Sequence, residues 1–277
     1  MGMRISTNVA SLNAQKNLAF TQRGLNKSLA RMSSGFRINE AADDAAGLAI
    51  SENLKGQIRG LRQANRNSND GISLVQVAEG GLNEVSSMLI RLRELAVQAA
   101  SDTVGDTERK FLDTEYQQLK SEIQRISEVT QFNGRDLLNG TGGMLDIQVG
   151  VNNDAFKDRI SFNASAANAS LEALGIVAES VAMKEGAQTS IDAVDKAIVQ
   201  VNAIRANFGA MQNRLQSTIA NLAVADENLS AANSRIRDAD IAAESSELMR
   251  NNILTQAGVS VLAQANNTSQ MALKLLG

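Results

Sequence analysis

The chain of 277 residues contains no cysteine, histidine, proline or tryptophan. Without histidine and cysteine, imidazole or thiolate zinc sites, cysteine nucleophiles and serine–histidine relays are all excluded. The absence of proline removes the commonest helix breaker. These absences predict a chain that is not an enzyme and that has no cofactor.

Aromatic residues are also scarce, at 3%, although hydrophobic residues make up 43% of the chain. A core of alanine, leucine, isoleucine and valine with few rings favours close packing of helices. The net charge of −3 argues against a nucleic-acid partner. There is no apolar run long enough to span a membrane, and the segment Met1–Arg4 lacks the apolar core of a secretory signal. These rules alone predict a protein that stays inside the cell.

Apolar residues recur at alternating spacings of four and three in three segments, as in the seam of a coiled coil. The first segment predicts one long helix from about Asp44 to Ala100, and Asp106 or Thr107 is the predicted N-cap of the next helix. The three seams are Leu74, Ala78, Gly81, Val85, Met88, Leu92, Leu95 and Ala99; Leu112, Tyr116, Leu119, Ile123 and Ile126; and Ile191 through Ile236. The predicted fold class is therefore mainly α, with long coiled-coil-like helices forming a discontinuous rod.

One stretch between the second and third helices is strand-like. Leu145, Ile147 and Val149 alternate with polar residues, and Ile160 and Phe162 do so again after a turn. This pattern predicts a small β-hairpin between residues 143 and 163. The following residues, 163–187, are rich in alanine and serine and support no assignment.

Both ends of the chain carry apolar stripes and few charges. Residues 1–39 contain no acidic side chain, and residues 251–277 contain a single charged one, Lys274. Burial of their apolar side chains does not offset the entropy of ordering so many residues in an isolated helix. We therefore expect both segments to become helical only against other copies of the chain. The predicted inter-subunit contacts are Ile5, Val9, Leu12, Leu254, Val261, Leu262, Met271 and Leu275.

Two acidic clusters are the strongest candidates for a catalytic or metal-binding site. Asp43 and Asp44 could bind a divalent cation or share a proton, but they lie where the long helix begins, which favours a capping role. The second cluster comprises Asp238, Asp240, Glu244 and Glu247. It has no glycine-turn ligand loop, so a solvated helix face or a protein interface is the favoured interpretation of these residues. The run Gly140–Gly143 lacks the lysine and the following helix of a phosphate loop.

Several of these segments resemble bacterial flagellin, the subunit of the flagellar filament. The motifs are Arg4–Leu12, Arg31–Asn39 with Ala41–Leu48, Gln131–Gly134, and the ending from Asn252 to Gly277. The resemblance covers residues 1 to about 150 and 188–277. It implies a structural subunit that self-assembles into a helical filament for swimming motility. Larger members carry outer variable domains where this chain has only residues 163–187, a short remnant.

The resemblance also implies how the chain is divided. Residues 1–43 with 236–277 would form a terminal coiled-coil domain at the inner tube of the filament, with a connecting spoke that includes Asp43 and Asp44. Residues 44–235 would form the helical rod domain with its hairpin.

Members of this family leave the cell unfolded through the flagellar secretion channel, without a cleaved signal peptide. The implied location is therefore extracellular, which reverses the compartment predicted from composition. The implied partners are other copies of the chain, an export chaperone at the C-terminal helix, and the hook-junction and cap proteins. An alternative is a flagellar hook–filament junction protein, but the matches through Ser33–Leu48 and Gln131–Gly134 favour flagellin.

A last resemblance concerns host recognition. The stretch Leu89–Gln98 is similar to the segment bound by the Toll-like innate receptor for flagellin, and Arg91, Leu95 and Glu115 match the main contact positions. Ile90 departs from the usual glutamine. Leu95 also lies on the predicted seam of the long helix, so a core position and a receptor contact compete for this side chain.

Overall fold

The computed structural model describes the backbone of residues 7–274 and the side chains of residues 7–267. The fold is mainly α, as predicted, with two small antiparallel strand pairs. The helices are α1 (Val9–Ser34), α2 (Ala45–Ala99), α3 (Asp106–Val129), α4 (Leu171–Leu174), α5 (Lys184–Arg237) and α6 (Ile241–Lys274). The strands are β1 (Gln131–Phe132), β2 (Arg135–Asp136), β3 (Met144–Gln148) and β4 (Arg159–Asn163).

The chain divides into two compact units, residues 1–56 with 228–277 and residues 57–227. The helices α1 and α6 belong to the first unit, and α3, α4 and all four strands belong to the second. Within the described residues, no helix combines the length and the apolar character needed to cross a membrane.

The core of the second unit is built around α2. Its buried residues occupy two adjacent rows, which makes the apolar face wider than the predicted coiled-coil seam. The first row holds the predicted Leu74, Ala78, Val85, Leu92, Leu95 and Ala99, and the second adds Val75, Leu82, Leu89 and Ala96. The face is wide because the apolar cluster around α2 includes residues of α3, α5 and the β3–β4 hairpin together.

The start of α3 differs from the prediction. The helix begins at Asp106, and its N-cap is Gly105, which offers no side-chain acceptor. Arg109 is buried there, and its guanidinium donates to the carbonyls of Ala99 (2.9 Å) and Ser101 (3.0 Å). Ala99 is the last residue of α2, so its carbonyl has no amide of that helix to bond it, and Ser101 lies in the turn that follows. Arg109, in the first turn of α3, therefore supplies hydrogen-bond donors to carbonyl groups at the end of α2.

The predicted hairpin is present as β3 and β4. Its register pairs Leu145 with Phe162 and Ile147 with Ile160, and one face of the ribbon is buried against the helices. A second, shorter hairpin, β1–β2, was not predicted. Its turn residues Asn133 and Gly134 both have positive φ, 50° and 75°. This is the conformation that the Asn-Gly pair favours in two-residue hairpin turns.

The segment between β4 and α5, for which the sequence supports no assignment, closes the core of the second unit. It contributes the buried side chains Ala164, Ala167, Ala169, Leu174, Ile176 and Val181. Polar groups on α3 hold its backbone. The buried Lys120 ammonium donates to the carbonyls of Val177 (2.7 Å) and Glu179 (2.8 Å), and the Asp113 carboxylate accepts from the Val181 amide (2.8 Å).

Candidate assembly surface

The helices α1 and α6 pack against each other in antiparallel orientation, and we call them the terminal helix pair. At one end Asn8 donates from its side chain to the carbonyl of Ala265 (2.9 Å). At the other end the Arg31 guanidinium lies 3.6 Å from the Glu244 carboxylate. In the structure each of the two terminal segments contacts the other within one chain, and the contacts predicted with other copies stay a prediction.

Both helices have well-defined beginnings. The side chain of Asn8 caps α1 by accepting a hydrogen bond from the Ser11 amide (3.1 Å). The Asp240 carboxylate does the same for α6 and accepts from the amides of Ala242 (2.9 Å) and Ala243 (3.2 Å). The helix α1 ends at Gly35, which has the left-handed φ of 73° that glycine adopts without strain.

The contacting faces of the pair are made mostly of small or polar residues. On α1 one row of buried and half-buried positions follows the four–three pattern Ser11, Ala14, Leu18, Thr21, Leu25, Ser28 and Met32, and Gly24 and Arg31 are half-buried beside it. On α6 the corresponding row is Glu244, Leu248, Asn251, Thr255, Gly258, Leu262 and Ala265. We call these two rows together the inner seam.

Other large apolar side chains of the pair are exposed to water. Of the predicted interface residues, Val9 and Leu12 of α1 are 55% and 56% exposed, and Leu254 and Val261 of α6 are 46% and 59% exposed. We call these four residues the outer face. The same two helices also expose Phe20, Leu29, Ile241, Met249, Ile253 and Val259. These helices therefore expose many large apolar residues to water, while most positions of their inner seam are small or polar.

The other predicted interface residues divide into two groups. Leu262 is half-buried in the inner seam, and its inter-subunit contact stays a prediction. Ile5, Leu275 and the side chain of Met271 lie outside the described residues.

Asp43 and Asp44 make different contacts. Asp44 immediately precedes α2, and its carboxylate accepts a hydrogen bond from the Gly47 amide (2.8 Å). Asp43 lies 2.6 Å from the Lys27 ammonium of α1 and accepts from the Asn39 amide (3.2 Å). The hydrogen bond from Lys27 lowers the pKa of Asp43, and the amide bonds lower it further against the opposing effect of burial. Asp43 therefore connects α1 to the turn before α2.

The second acidic cluster is dispersed. Asp240 caps α6, Glu244 pairs with Arg31, and Glu247 pairs with Arg250 of its own helix (3.7 Å). Within the side chains that the structure describes, no three acidic groups are arranged to hold a metal ion.

A junction between the two chain segments that join the terminal helix pair to α2 and α5 was not predicted. Phe36 pairs with Asp238 in an isolated antiparallel bridge, and the Arg37 amide donates to the Arg237 carbonyl (2.7 Å). The Arg237 guanidinium contacts the Glu52 carboxylate and lies over the Phe36 ring, 4.7 Å from its centroid. The sequence signal was weak, because a single bridge has no periodicity to detect.

The three residues matched to the innate receptor do not form one surface. Arg91 and Glu115 are exposed and form an ion pair across α2 and α3, with Arg91 Nε 2.9 Å from Glu115 Oε1. The hydrogen bond to Glu115 raises the pKa of Arg91 above its ordinary value. Leu95, in contrast, is 1% exposed in the core. Its assignment as a receptor contact is therefore corrected, because the seam of α2 buries it.

A helix pair that buries small polar residues and exposes large apolar ones is typical of a subunit that other chains complete. Comparison with known proteins identifies the family. The N-terminal helical region of bacterial flagellin matches residues 5–142, and its C-terminal helical region matches residues 191–276. The flagellin of Halalkalibacterium halodurans is 47% identical over 274 residues, which cover 99% of this chain and all of that protein.

Solved structures agree with this assignment. The crystal structure of Bacillus cereus flagellin has 34% sequence identity and a TM-score of 0.51, and the match covers 57% of this chain and 88% of that one. A Vibrio parahaemolyticus structure described as a flagellar hook-associated protein shares the fold, with a TM-score of 0.58 at 16% identity, over 71% of this chain and all of that one.

The chain therefore belongs to the bacterial flagellin family, and it is a short member without the variable domain. Flagellins are structural proteins, and this chain is a structural subunit of the flagellar filament. The hook-associated alternative has less support, since that similarity extends to the fold alone.

Proposed function

We propose that the chain polymerises into the extracellular flagellar filament through the outer face of its terminal helix pair. The observation that supports this proposal is the exposure of Val9, Leu12, Leu254 and Val261 on two neighbouring helices. Each of them still has about half of its surface to bury, which contributes about 1 kcal/mol per side chain. The four together contribute about 4 kcal/mol for each subunit added, and this gain recurs along a helical polymer.

The domain division follows the same logic. We propose that the first unit, with Asp43 in its spoke, is the coiled-coil domain at the centre of the filament, and that the second unit is the surrounding rod. The observation that supports this division is the set of exposed large apolar residues on both terminal helices, which favours their burial from water in the filament.

Export and escort are part of the same proposal. A surface that stabilises a polymer outside the cell is a liability inside it, so a chaperone that covers α6 would prevent premature assembly. Leu254 and Val261 are the α6 residues that such a partner would cover.

The absence of cysteine and proline suits a chain that is exported unfolded without a cleaved signal peptide, because neither stray disulfides nor slow proline isomerisation can delay its folding at the tip. Hook-junction and cap proteins are the remaining proposed partners, at the two ends of the filament.

The test is seeded elongation of purified subunits with a charge placed on the outer face. Val261→Asp buries a carboxylate at the proposed contact, and we expect elongation to fall at least tenfold while the thermal unfolding of the long helices is unchanged. Val177→Asp is the matched control, because Val177 is equally exposed but lies outside the terminal helices. It should elongate like the parent chain. Undiminished growth of Val261→Asp filaments would refute the proposed surface, and failure of the parent chain to grow long filaments on seeds would favour the hook–filament junction alternative.

A second candidate function is recognition of the free subunit by the Toll-like innate receptor for flagellin. The exposed Arg91–Glu115 ion pair favours it, because both charges are accessible on adjacent helices. We propose that these two residues carry the interaction without Leu95.

A further inference from the structure

Gly258 in the inner seam of α6 and Gly24 beside the inner seam of α1 each lie where the partner helix presents a larger side chain. A Cβ atom at Gly24 of α1 would lie 3.2 Å from Asn251 Nδ2 and 3.4 Å from Asn251 Cγ of α6. A Cβ atom at Gly258 of α6 would lie 3.2 Å from Leu18 Cδ1 of α1. Each helix therefore provides one socket and one side chain that fills the socket of the other.

Several other seam residues do not distinguish one alignment of the helices from another. Ser11, Thr21 and Ser28 on α1, and Thr255 on α6, are small polar residues that would pack acceptably after a shift of one heptad. Such a shift displaces one helix along the other by about 10.5 Å. Discrimination between alignments must come from residues whose size or polarity is unlike that of their neighbours.

Both heptad shifts break the reciprocal contacts. A shift in one direction brings Leu18 against Asn251, so that two large side chains meet where a glycine is needed. A shift in the other direction places Gly24 opposite Gly258, which leaves a void, and moves Asn251 towards Arg31. Only the observed alignment fills each socket once.

The polarity of Asn251 adds to this selection. Its side chain is 8% exposed within the seam, and its Nδ2 lies 3.4 Å from Glu247 Oε1 of the same helix. A buried asparagine at a seam position costs stability but penalises alignments that place it against an apolar or charged neighbour. Size and polarity thus favour the same alignment.

We infer that the reciprocal contacts Gly24–Asn251 and Leu18–Gly258 set the register of α1 against α6. This register decides which apolar side chains of the two helices lie beside one another on the outer face. The inference deepens the proposed function by naming the residues that position its surface, although the register itself is a property of a single chain.

The register can be read directly because the chain has no cysteine. Ser11 Oγ and Asn266 Oδ1 are 2.9 Å apart, so a Ser11→Cys, Asn266→Cys variant should form a disulfide on mild oxidation. A Ser11→Cys, Val259→Cys variant reports the alignment displaced by one heptad and should stay reduced. Both variants are oxidised as purified full-length chains and in seeded filaments. A disulfide in the displaced pair, or equal yields in both pairs, would overturn the inferred register whether or not the outer face is the assembly surface.

A size exchange between the helices tests the role of the sockets. Gly24→Asn fills a socket, and Gly24→Asn with Asn251→Gly moves the same side chain to the other helix at unchanged composition. Asparagine has the higher helix propensity, so a loss caused by Gly24→Asn alone cannot come from the helix itself. We expect this single variant to elongate at least tenfold more slowly than the parent chain, and the exchange variant to recover to within about threefold.

Leu18→Gly with Gly258→Leu is the equivalent exchange at the second socket, with the same expected pattern. Gly80→Asn is the control, because Gly80 is exposed on α2 with no atom near its missing Cβ, and it should leave elongation unchanged. Exchange variants that grow no faster than the corresponding filled-socket variants would refute the inference, as would filled-socket variants that grow like the parent chain. Neither outcome depends on Val261, whose substitution tests the assembly surface separately.

Discussion

Tyr116 makes the core of the second unit sensitive to alkaline pH in a way that can be measured at one residue. Its ring is fully buried, and its hydroxyl has no hydrogen-bond partner of good geometry among the described residues. Burial raises the pKa of Tyr116 to about 12 from its ordinary value of 10, the carboxylates of Glu179 and Asp113 raise it further, and the nearby Ser190 hydroxyl opposes them. The folded chain therefore holds the phenol proton more tightly than the unfolded chain does.

The sign and size of the effect follow from that difference. Because the pKa is raised on folding, the stabilisation is fully present below pH 10 and is lost as the pH rises from 10 to about 12. Each pKa unit corresponds to 1.36 kcal/mol, so a shift of about two units amounts to roughly 2.7 kcal/mol. Lys120 works in the opposite direction, since burial lowers its pKa and deprotonation relieves that cost as the pH rises. A comparison with Tyr116→Phe cancels the lysine contribution and isolates the phenol.

The assay uses the fact that Tyr116 is the only tyrosine in a chain without tryptophan. Near-ultraviolet absorbance of the phenolate reports its titration without interference, and urea unfolding at a series of pH values reports stability. We expect the parent chain to lose about 2 kcal/mol relative to Tyr116→Phe between pH 10 and 12, out of roughly 2.7 kcal/mol for the complete titration, and the phenolate of the folded chain to appear near pH 12. A phenolate that appears near pH 10 while the circular dichroism remains that of the folded chain would show that the ring is not buried as described.

Two further predictions concern charged side chains. Arg109→Met removes the donors to the carbonyls of Ala99 and Ser101, and we expect urea unfolding to show a loss of about 2–4 kcal/mol, whereas the exposed neighbour Lys110→Met should change stability by less than about 0.5 kcal/mol. Equal effects of both substitutions would contradict the described end of α2. For innate recognition, replacing Arg91 and Glu115 together by alanine should lower the response of a receptor reporter cell to free subunits at least tenfold, with Arg125→Ala as the control, and an unchanged response would rule out the ion pair as the contact.

The apolar pattern of the sequence predicted the large elements well, because long helices bury residues at regular spacing. The hairpin of Ile147 and Ile160 was also predicted, since alternation is readable in strands of five residues. The wider buried face of α2 was not, because a residue such as Val75 becomes recognisable as core only once the neighbouring helices are in place. Leu95 is buried by the same packing, as its position in the four–three spacing predicted and as the resemblance to a receptor contact did not.

The candidate assembly surface was predicted only in part from the sequence. Its outer face was found from apolar residues, namely Val9, Leu12, Leu254 and Val261. The inner seam was missed because serine, threonine, asparagine and glycine carry no hydrophobic signal, and a glycine socket exists only in relation to the side chain opposite. Asn251 and Gly258 are seven residues apart on one helix, yet that spacing has meaning only beside Leu18 and Gly24.

The segment between β4 and α5 has a consequence for how such a chain varies in length. Since about twenty residues, held by Lys120 and Asp113, complete the core by themselves, nothing placed outside this segment is needed to keep water from the helices. Loop-closure entropy rises only slowly with length, by about 0.6 kcal/mol for each doubling, so additional domains joined there are inexpensive to gain and to lose. The second unit can therefore serve as a constant framework, while the surface presented to the surroundings is free to change independently of folding.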